Sequence, residues 1–92
     1  MRYHEYKTQK PFFEEVAAGK KKFEIRADDR EETPAPGDEV ELREWDERIQ
    51  RYTMRRSQHF TVGYTLVIKR ALLEQMLGEG SDIVIFELKE RA

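Results

Sequence analysis

The sequence contains no cysteine, and this absence excludes several kinds of site at once. Disulfides, thiolate zinc sites and cysteine nucleophiles are impossible. The chain has only two histidines, His4 and His59, so we expect no metal site built from histidines. No apolar run approaches the roughly 20 residues that span a bilayer, and we expect no signal peptide. These absences predict a soluble, cytoplasmic protein without a metal or other cofactor and without a membrane partner.

The length of 92 residues is enough for one small domain, which we expect to span 1–92. A chain this short buries only about 60–65% of the surface that its unfolded form exposes, so its core must be small. Five Phe, four Tyr and one Trp can supply that core, whereas charged residues make up 39% of the chain. We therefore expect a folded monomer with a highly charged surface.

The formal net charge of -2 hides a segregation of charge along the chain. Residues 1–23 carry six basic and three acidic side chains, and residues 48–73 carry six basic and no acidic ones. Residues 24–47 carry eleven acidic side chains against three basic ones. Two basic segments folded side by side would create one basic face that attracts phosphates. Neighbouring strands of opposite charge would instead neutralise each other, and the sequence leaves both arrangements open.

Alternation and helix signals predict the element order β-α-β-β-β-α-β. Pro11 suits the first turn of a helix, and Gly19 suits a left-handed cap at its end. The apolar spacing of 72–77 predicts a second helix. The strands are expected at 2–7, 23–26, 40–46, 51–57 continuing through 60–68, and 83–89. This pattern predicts an α+β, mainly β fold, namely a small five-stranded, partly open barrel with two short helices.

Periodicity also predicts which side chains share a face. In the strand at 23–26, Phe23 and Ile25 point to one face and Glu24 and Arg26 to the other. The apolar residues of the first helix are Phe12, Phe13, Val16 and Ala17, and those of the second are Leu72, Leu73, Met76 and Leu77. The long strand repeats with period two at Phe60, Val62, Tyr64, Leu66 and Ile68. In the strand at 40–46, Val40, Leu42, Glu44 and Asp46 share one face, and Arg43 and Trp45 share the other.

One constellation carries chemical information, namely the pattern Gly-x-Lys-x-x-Glu-x-Arg formed by Gly19, Lys21, Glu24 and Arg26. Gly19 permits a sharp reversal, and the carboxylate of Glu24 can hold both cations in place for a phosphate or a base edge. Glu24 is also a candidate general base if its strand face lines a cleft. The alternative is a solvated ion pair of Glu24 and Arg26, without function.

This constellation resembles the signature of the ASCH group, which is named for homology to an activating signal cointegrator and belongs to the PUA-like superfamily. The sequence is most similar to an ASCH-like family of unknown function that is common in bacteria and phages. The shared features are His4 with Lys7, Lys20 or Lys21 through Phe23-Glu24-Ile25-Arg26, Asp29-Arg30, Gly37-Asp38, Glu44-Trp45-Asp46 and Tyr52-Thr53. Met54 stands where family members tend to have Gly.

The resemblance implies a PUA-like barrel with a cleft beside the first helix, and it implies RNA recognition. One ASCH branch consists of small amidohydrolases that deacylate N4-acetylcytidine, with a Lys at the position of Lys21 and a Thr at the position of Glu24. Because Glu24 replaces that Thr, the resemblance gives less support to this activity.

We therefore expect an RNA- or nucleotide-binding module rather than an enzyme. Lys21 and Arg26 would hold phosphate or base edges, and Glu24 would orient them. The remaining candidate binding residues are Asp29, Arg30, Trp45, Arg55 and Arg56. For Trp45 a covering role in the barrel is an alternative to stacking, and the arginines from 48 to 56 equally fit a solvated strand edge.

Two other functions stay open. The first is a small amidohydrolase acting on a modified nucleoside such as N4-acetylcytidine, with Lys21 and Glu24 as its candidate catalytic residues. The second is a non-catalytic protein-interaction or phage accessory module. His4 is expected to be structural, since a lone histidine on a first strand is more often buried than catalytic.

Overall fold

Five strands and a short helix form the framework of the computed structural model, which describes residues 1–28, 32–72 and 82–91 and only the backbone of 54–56. The elements are β1 (Tyr3–Gln9), α1 (Lys10–Ala17), β2 (Phe23–Ala27), β3 (Glu39–Asp46), β4 (Arg51–Ile68) and β5 (Ile83–Glu90). A second helix starts at residue 70 and is described as far as 72. The predicted element order is confirmed, with β1 ending two residues later than expected.

β1 and β2 are the two edges of the sheet, although only α1 and a short turn separate them along the chain. The strand order is β1-β3-β4-β5-β2, with β1 parallel to β3 and the other neighbours antiparallel. The edges approach each other, because Nη2 of Arg26 on β2 donates a hydrogen bond to Oγ1 of Thr8 on β1 at 3.2 Å. The sheet therefore curls into the small, partly open barrel that the sequence predicts.

The strand order also decides between the two charge arrangements. The acidic segment that contains β3 lies between β1 and β4, so the two basic segments are not neighbours. Side chains of opposite charge meet across these strands, with Arg43 and Glu5 3.1 Å apart, and His59 lies 3.3 Å from the carboxylate of Glu41. Neutralisation between neighbouring strands is thus the arrangement seen among the described side chains, which do not include those of Arg55 and Arg56.

The core lies on the concave face of the sheet, under α1. It contains Tyr6, Val16, Val40, Leu42, Val62, Val84, Phe86 and Leu88, with Phe60 and Val67 partly buried against it. The alternation predicted for β3 is confirmed as far as Glu44, since residues 40, 42 and 44 are buried and the residues between them are half-buried, whereas Asp46 is half-buried like Trp45.

α1 begins and ends where the sequence predicts. Pro11 lies in its first turn, and Gly19 adopts a φ of 76°, a left-handed conformation that glycine tolerates best. Phe13 and Val16 are buried, but Phe12 is 54% exposed and Ala17 is exposed as well. The helical spacing of these four residues does not bury them all, because adjacent helical residues point about 100° apart and one narrow face cannot hold them.

β4 contains an irregularity that exchanges its two faces. Val62 pairs with Leu88 and Thr65 pairs with Phe86, so β4 has one more residue than β5 between these pairs. Tyr64, within this bulge, is 70% exposed, and Leu66, beyond it, is 43% exposed. The uninterrupted period-two face predicted for this strand is therefore wrong after Val62, since an extra residue reverses the direction of every following side chain.

The second predicted helix lies mostly outside the described residues. Leu72 is 60% exposed rather than part of the core, and the positions of Leu73, Met76 and Leu77 fall in the part of the chain that is not described. Across 1–28, 32–72 and 82–91, no helix has the length and apolar character needed to cross a bilayer.

Candidate ligand-binding cleft

Three charged side chains from the signature meet in one buried group, which we call the ion cluster: Lys21, Glu24 and Arg26. Nζ of Lys21 lies 2.7 Å from Oε1 of Glu24, and Nε of Arg26 lies 2.9 Å from Oε2. Glu24 is only 1% exposed, whereas the side chains of Lys21 and Arg26 are about a quarter exposed. A buried carboxylate requires such charged donors, because an unpaired charge is costly away from water.

The local sequence explains why Lys21, of three consecutive lysines, reaches the carboxylate. Gly19 ends α1, and the backbone N–H groups of Lys20 and Lys21 both donate to the carbonyl oxygen of Glu15. This turn leaves Lys20 and Lys22 exposed, while Lys21 stands at the entrance to β2, three residues before Glu24. Lys21 is therefore the lysine of the three that contacts Glu24, and its role in binding stays a prediction.

β2 presents its charged face to the interior of the barrel and its apolar face to the outside. Phe23 and Ile25 are 48% and 53% exposed, and Glu24 and Arg26 point inward as the alternation predicts. Arg26 also lies over the ring of Tyr6, with its guanidinium carbon 5.0 Å from the ring centroid. The pair of Glu24 and Arg26 is thus a buried contact within one strand, not a solvated ion pair.

A cleft of about 630 Å³ adjoins the ion cluster. Its wall includes Thr8 and Gln9 at the end of β1, and the exposed ring of Phe12 on α1. Pockets for small ligands in proteins commonly measure about 300–1,000 Å³, so this cleft is large enough for one nucleotide.

A second group of residues lines the same cleft from the β3–β4 hairpin, and we call it the hairpin cluster: Trp45, Glu47 and Gln50. Trp45 is half-buried, and the ring of Tyr52 packs edge-on against it with centroids 5.0 Å apart. Nζ of Lys7 lies 3.9 Å from the centroid of the Trp45 ring, within the range of a cation–π contact.

Glu47 is held by its neighbours although it is exposed. Nε1 of Trp45 donates to Oε2 at 2.9 Å, and Nε2 of Gln50 donates to Oε1 at 2.6 Å. The hydrogen bond from Gln50 has the largest effect on the pKa of Glu47, which it lowers. The hydrogen bond from Trp45 and the nearby charge of Lys7 lower this pKa further. Glu47 is therefore an oriented, ionised acceptor at the rim of the cleft.

A comparison of the sequence with known protein families shows which family the chain belongs to. The model of a family described as a domain of unknown function (DUF3850) matches residues 3–71, which is most of the chain. The chain belongs to the DUF3850 family. No curated protein matches the sequence significantly. The matched range of this DUF3850 member includes both the ion cluster and the hairpin cluster.

The structure brings together four of the residues that the sequence singled out in this DUF3850 domain, namely Lys21, Glu24, Arg26 and Trp45. Asp29 and Arg30 lie outside the described residues, and so do the side chains of Arg55 and Arg56. The contribution of Asp29, Arg30, Arg55 and Arg56 to binding stays a prediction. Trp45 lies on the face away from Val40 and Leu42, as expected, and it borders the cleft.

Several residues of the cleft were not predicted from the sequence: Lys7, Thr8, Gln9, Phe12, Glu47 and Gln50. Thr8 continues the inward alternation of His4 and Tyr6, so a longer β1 would have placed it on the inner face. Glu47 and Gln50 carried no signal of their own, since charged and amide side chains are ordinary in hairpin turns.

His4 of the DUF3850 domain is buried away from the cleft. Its Nε2 lies 2.9 Å from Oδ2 of Asp38, and the backbone N–H groups of Arg2 and Ala35 donate to Oδ1 and Oδ2 of the same carboxylate. Burial acts to raise the pKa of Asp38, but the hydrogen bonds from His4 and from the two backbone groups outweigh it and lower the pKa. The expectation that His4 is structural is consistent with these contacts.

Proposed function

We propose that this protein is a nucleotide- or RNA-binding module of the PUA-like type, related to the ASCH group. The observation that carries the proposal is that one cleft is lined by both the ion cluster and the hairpin cluster. The first offers cations for a phosphate or a base edge, and the second offers an indole ring for stacking. These are the groups that recognise an unstacked nucleotide in single-stranded RNA.

The ion cluster suits an anion because its cations are already oriented. Glu24 fixes Lys21 and Arg26 by hydrogen bonds of 2.7 and 2.9 Å. Since the two cations and one carboxylate leave a net positive charge, the cluster attracts phosphate while the cations need little reorganisation on binding. Thr8 adds a hydroxyl beside Arg26.

The hairpin cluster can accept a base in exchange for the Lys7 ammonium. The cation–π contact of an exposed lysine contributes about 0.5–1 kcal/mol. Stacking of a base on an aromatic side chain contributes about 1–3 kcal/mol. A base on the face of Trp45 therefore more than replaces the contact that Lys7 makes with this ring.

The contacts of Glu24 give less support to the amidohydrolase alternative. Both carboxylate oxygens accept hydrogen bonds from cations and Glu24 is almost fully buried, so little of the carboxylate is accessible to a water molecule that it would have to activate. Release of acetate from N4-acetylcytidine, lost in Glu24→Gln, would establish that alternative. A module that binds only another protein is the remaining candidate, and it makes no use of the cleft.

The proposal is tested by a two-dimensional amide NMR titration with a short single-stranded RNA at low and at moderate salt. We expect shifts at Lys21, Glu24, Arg26 and Trp45, and an affinity that falls as salt rises because phosphate contacts release counterions. Lys21→Met should weaken binding markedly, whereas Lys20→Met removes the same charge from an exposed neighbour and should have a small effect.

Two outcomes would contradict this function. One is an affinity that does not depend on salt. The other is an equal loss of affinity in Lys20→Met and Lys21→Met, because the positive charge alone would then explain binding and the cleft would have no role.

A further inference from the structure

We propose that the hairpin cluster selects guanine among the nucleobases. This inference rests on the nucleotide-binding function proposed above and names the base that the cleft takes. It rests on how two charged groups surround the indole ring of Trp45: the carboxylate of Glu47 lies at the edge of the ring, and the ammonium of Lys7 lies over its face.

The carboxylate of Glu47 is fixed at the edge of the indole ring. The N–H bond of Nε1 lies in the plane of the indole, so Glu47 stands beside the ring and does not cover its face, which Lys7 covers until a base displaces it. Each of its oxygens receives one hydrogen bond, from Trp45 or Gln50, and a carboxylate offers about four lone pairs. Lone pairs therefore remain for two further donors from a base stacked on Trp45.

Gln50 orients the carboxylate of Glu47, and its own backbone adopts an unusual conformation. Its φ of 53° is the only positive value for a residue other than glycine in the described part of the chain. Glycine or asparagine would adopt this conformation more easily. Gln50 instead supplies an amide long enough to donate both to the Glu47 carboxylate and to the Glu47 carbonyl oxygen. The strained turn thus keeps the acceptor in place.

Guanine is the base whose hydrogen-bonding edge complements this cluster. Its N1–H and N2 amino group are adjacent donors that fit the two oxygens of one carboxylate, and its O6 is an acceptor beside them. Lys7, displaced from the ring face, can donate to O6. Adenine and cytosine each present one amino group next to an unprotonated ring nitrogen, which a carboxylate repels. Uracil presents a single N–H between two carbonyl oxygens.

The test compares the 5′-monophosphates of guanosine, adenosine, cytidine and uridine by isothermal titration calorimetry with the full chain. We expect guanosine monophosphate to bind about tenfold more tightly than the other three, the discrimination typical of one bidentate contact. Inosine monophosphate keeps N1–H and O6 but lacks the amino group, so its affinity should be intermediate. 1-Methylguanosine monophosphate loses N1–H and should bind as weakly as adenosine monophosphate.

Glu47→Gln provides the matching change in the protein. It should lower the affinity for guanosine monophosphate about tenfold, so that all four nucleotides bind about equally. Glu90 is exposed at the end of β5, and Glu90→Gln should leave the preference for guanosine monophosphate unchanged. The amide spectrum of each variant verifies its fold. Four equal affinities in the unmodified chain, or a preference for another base, would overturn guanine selection and leave the nucleotide site standing. Absence of binding by every nucleotide would overturn both.

Discussion

Glu24 on β2 lies directly opposite Phe86 on β5, and both side chains are almost fully buried. An ionised carboxylate therefore borders the apolar core of the barrel, and its charge is balanced from the cleft side by Lys21 and Arg26. The ion cluster is consequently part of the structural support of the domain as well as part of its candidate site.

Glu24→Gln should lower the free energy of unfolding by about 1–3 kcal/mol, since the amide cannot accept two charge-assisted hydrogen bonds with both of its terminal atoms. Urea denaturation measures the change. Glu90→Gln, at an exposed position, should remain within about 0.5 kcal/mol of the unmodified protein. Equal stabilities of the two variants would mean that the buried contacts of Glu24 do not stabilise the fold.

Two adjacent phenylalanines of α1 should behave in opposite ways. Phe13 is 1% exposed, so Phe13→Ala should cost about 3–5 kcal/mol of stability by leaving a cavity. Phe12 is 54% exposed and lines the cleft, so Phe12→Ala should change stability little and weaken RNA binding. Thermal unfolding and an RNA titration on both variants separate the two effects. A large loss of stability in Phe12→Ala and a small one in Phe13→Ala would contradict the orientation of α1 described here.

Replacing Trp45 should remove the stacking surface. We expect Trp45→Ala to weaken binding of single-stranded RNA by about 1–3 kcal/mol, or roughly five- to 150-fold in affinity. Fluorescence anisotropy of labelled RNA measures the loss. Tyr64→Ala is the control, because Tyr64 is 70% exposed on the outer face of β4. Similar losses in the two variants would indicate non-specific contact with aromatic surface.

The pair of His4 and Asp38 predicts how acid affects stability. The pKa of folded Asp38 lies below its ordinary value of 3.8, so between these two values the unfolded chain binds more protons than the folded one. Asp38 therefore contributes stability above its ordinary pKa, and this contribution is lost as the pH falls through the folded value. Asp38→Asn should be less stable than the unmodified protein near about pH 6, and the difference should shrink toward about pH 2. Urea unfolding across this range measures it, and a constant difference would contradict the assignment.

The sequence predicts those features of the site that depend on near neighbours along the chain. Alternation placed Glu24 and Arg26 on one face of β2, and the signature distinguished Lys21 from Lys20. The shared face of Glu24 and Arg26 is confirmed, and Lys21 is the lysine that contacts Glu24, whereas its role in a binding site stays a prediction. Each follows from strand geometry or from a turn that glycine permits, which a few residues are enough to determine.

The features that were missed depend on distant parts of the chain. Thr8 joins the site because β1 and β2 become opposite edges of one curled sheet, an order set by pairing with strands that come later. The reversal of faces at Tyr64 depends on one extra residue in β4 relative to β5. Periodicity within a single strand contains no information about its partner's register.

The strand order has a consequence for how the protein folds. β2 pairs only with β5 among the described strands, and some 55 residues of chain separate them. The loop that closes this pairing has a large entropic cost, which slows formation of contacts between distant segments. The cleft residues of β1, α1 and β2 all come before residue 28 and those of the hairpin cluster come before residue 51, yet the carboxylate of Glu24 reaches its buried environment only when β5 has docked. The binding site should be among the final parts of the molecule to acquire its native form.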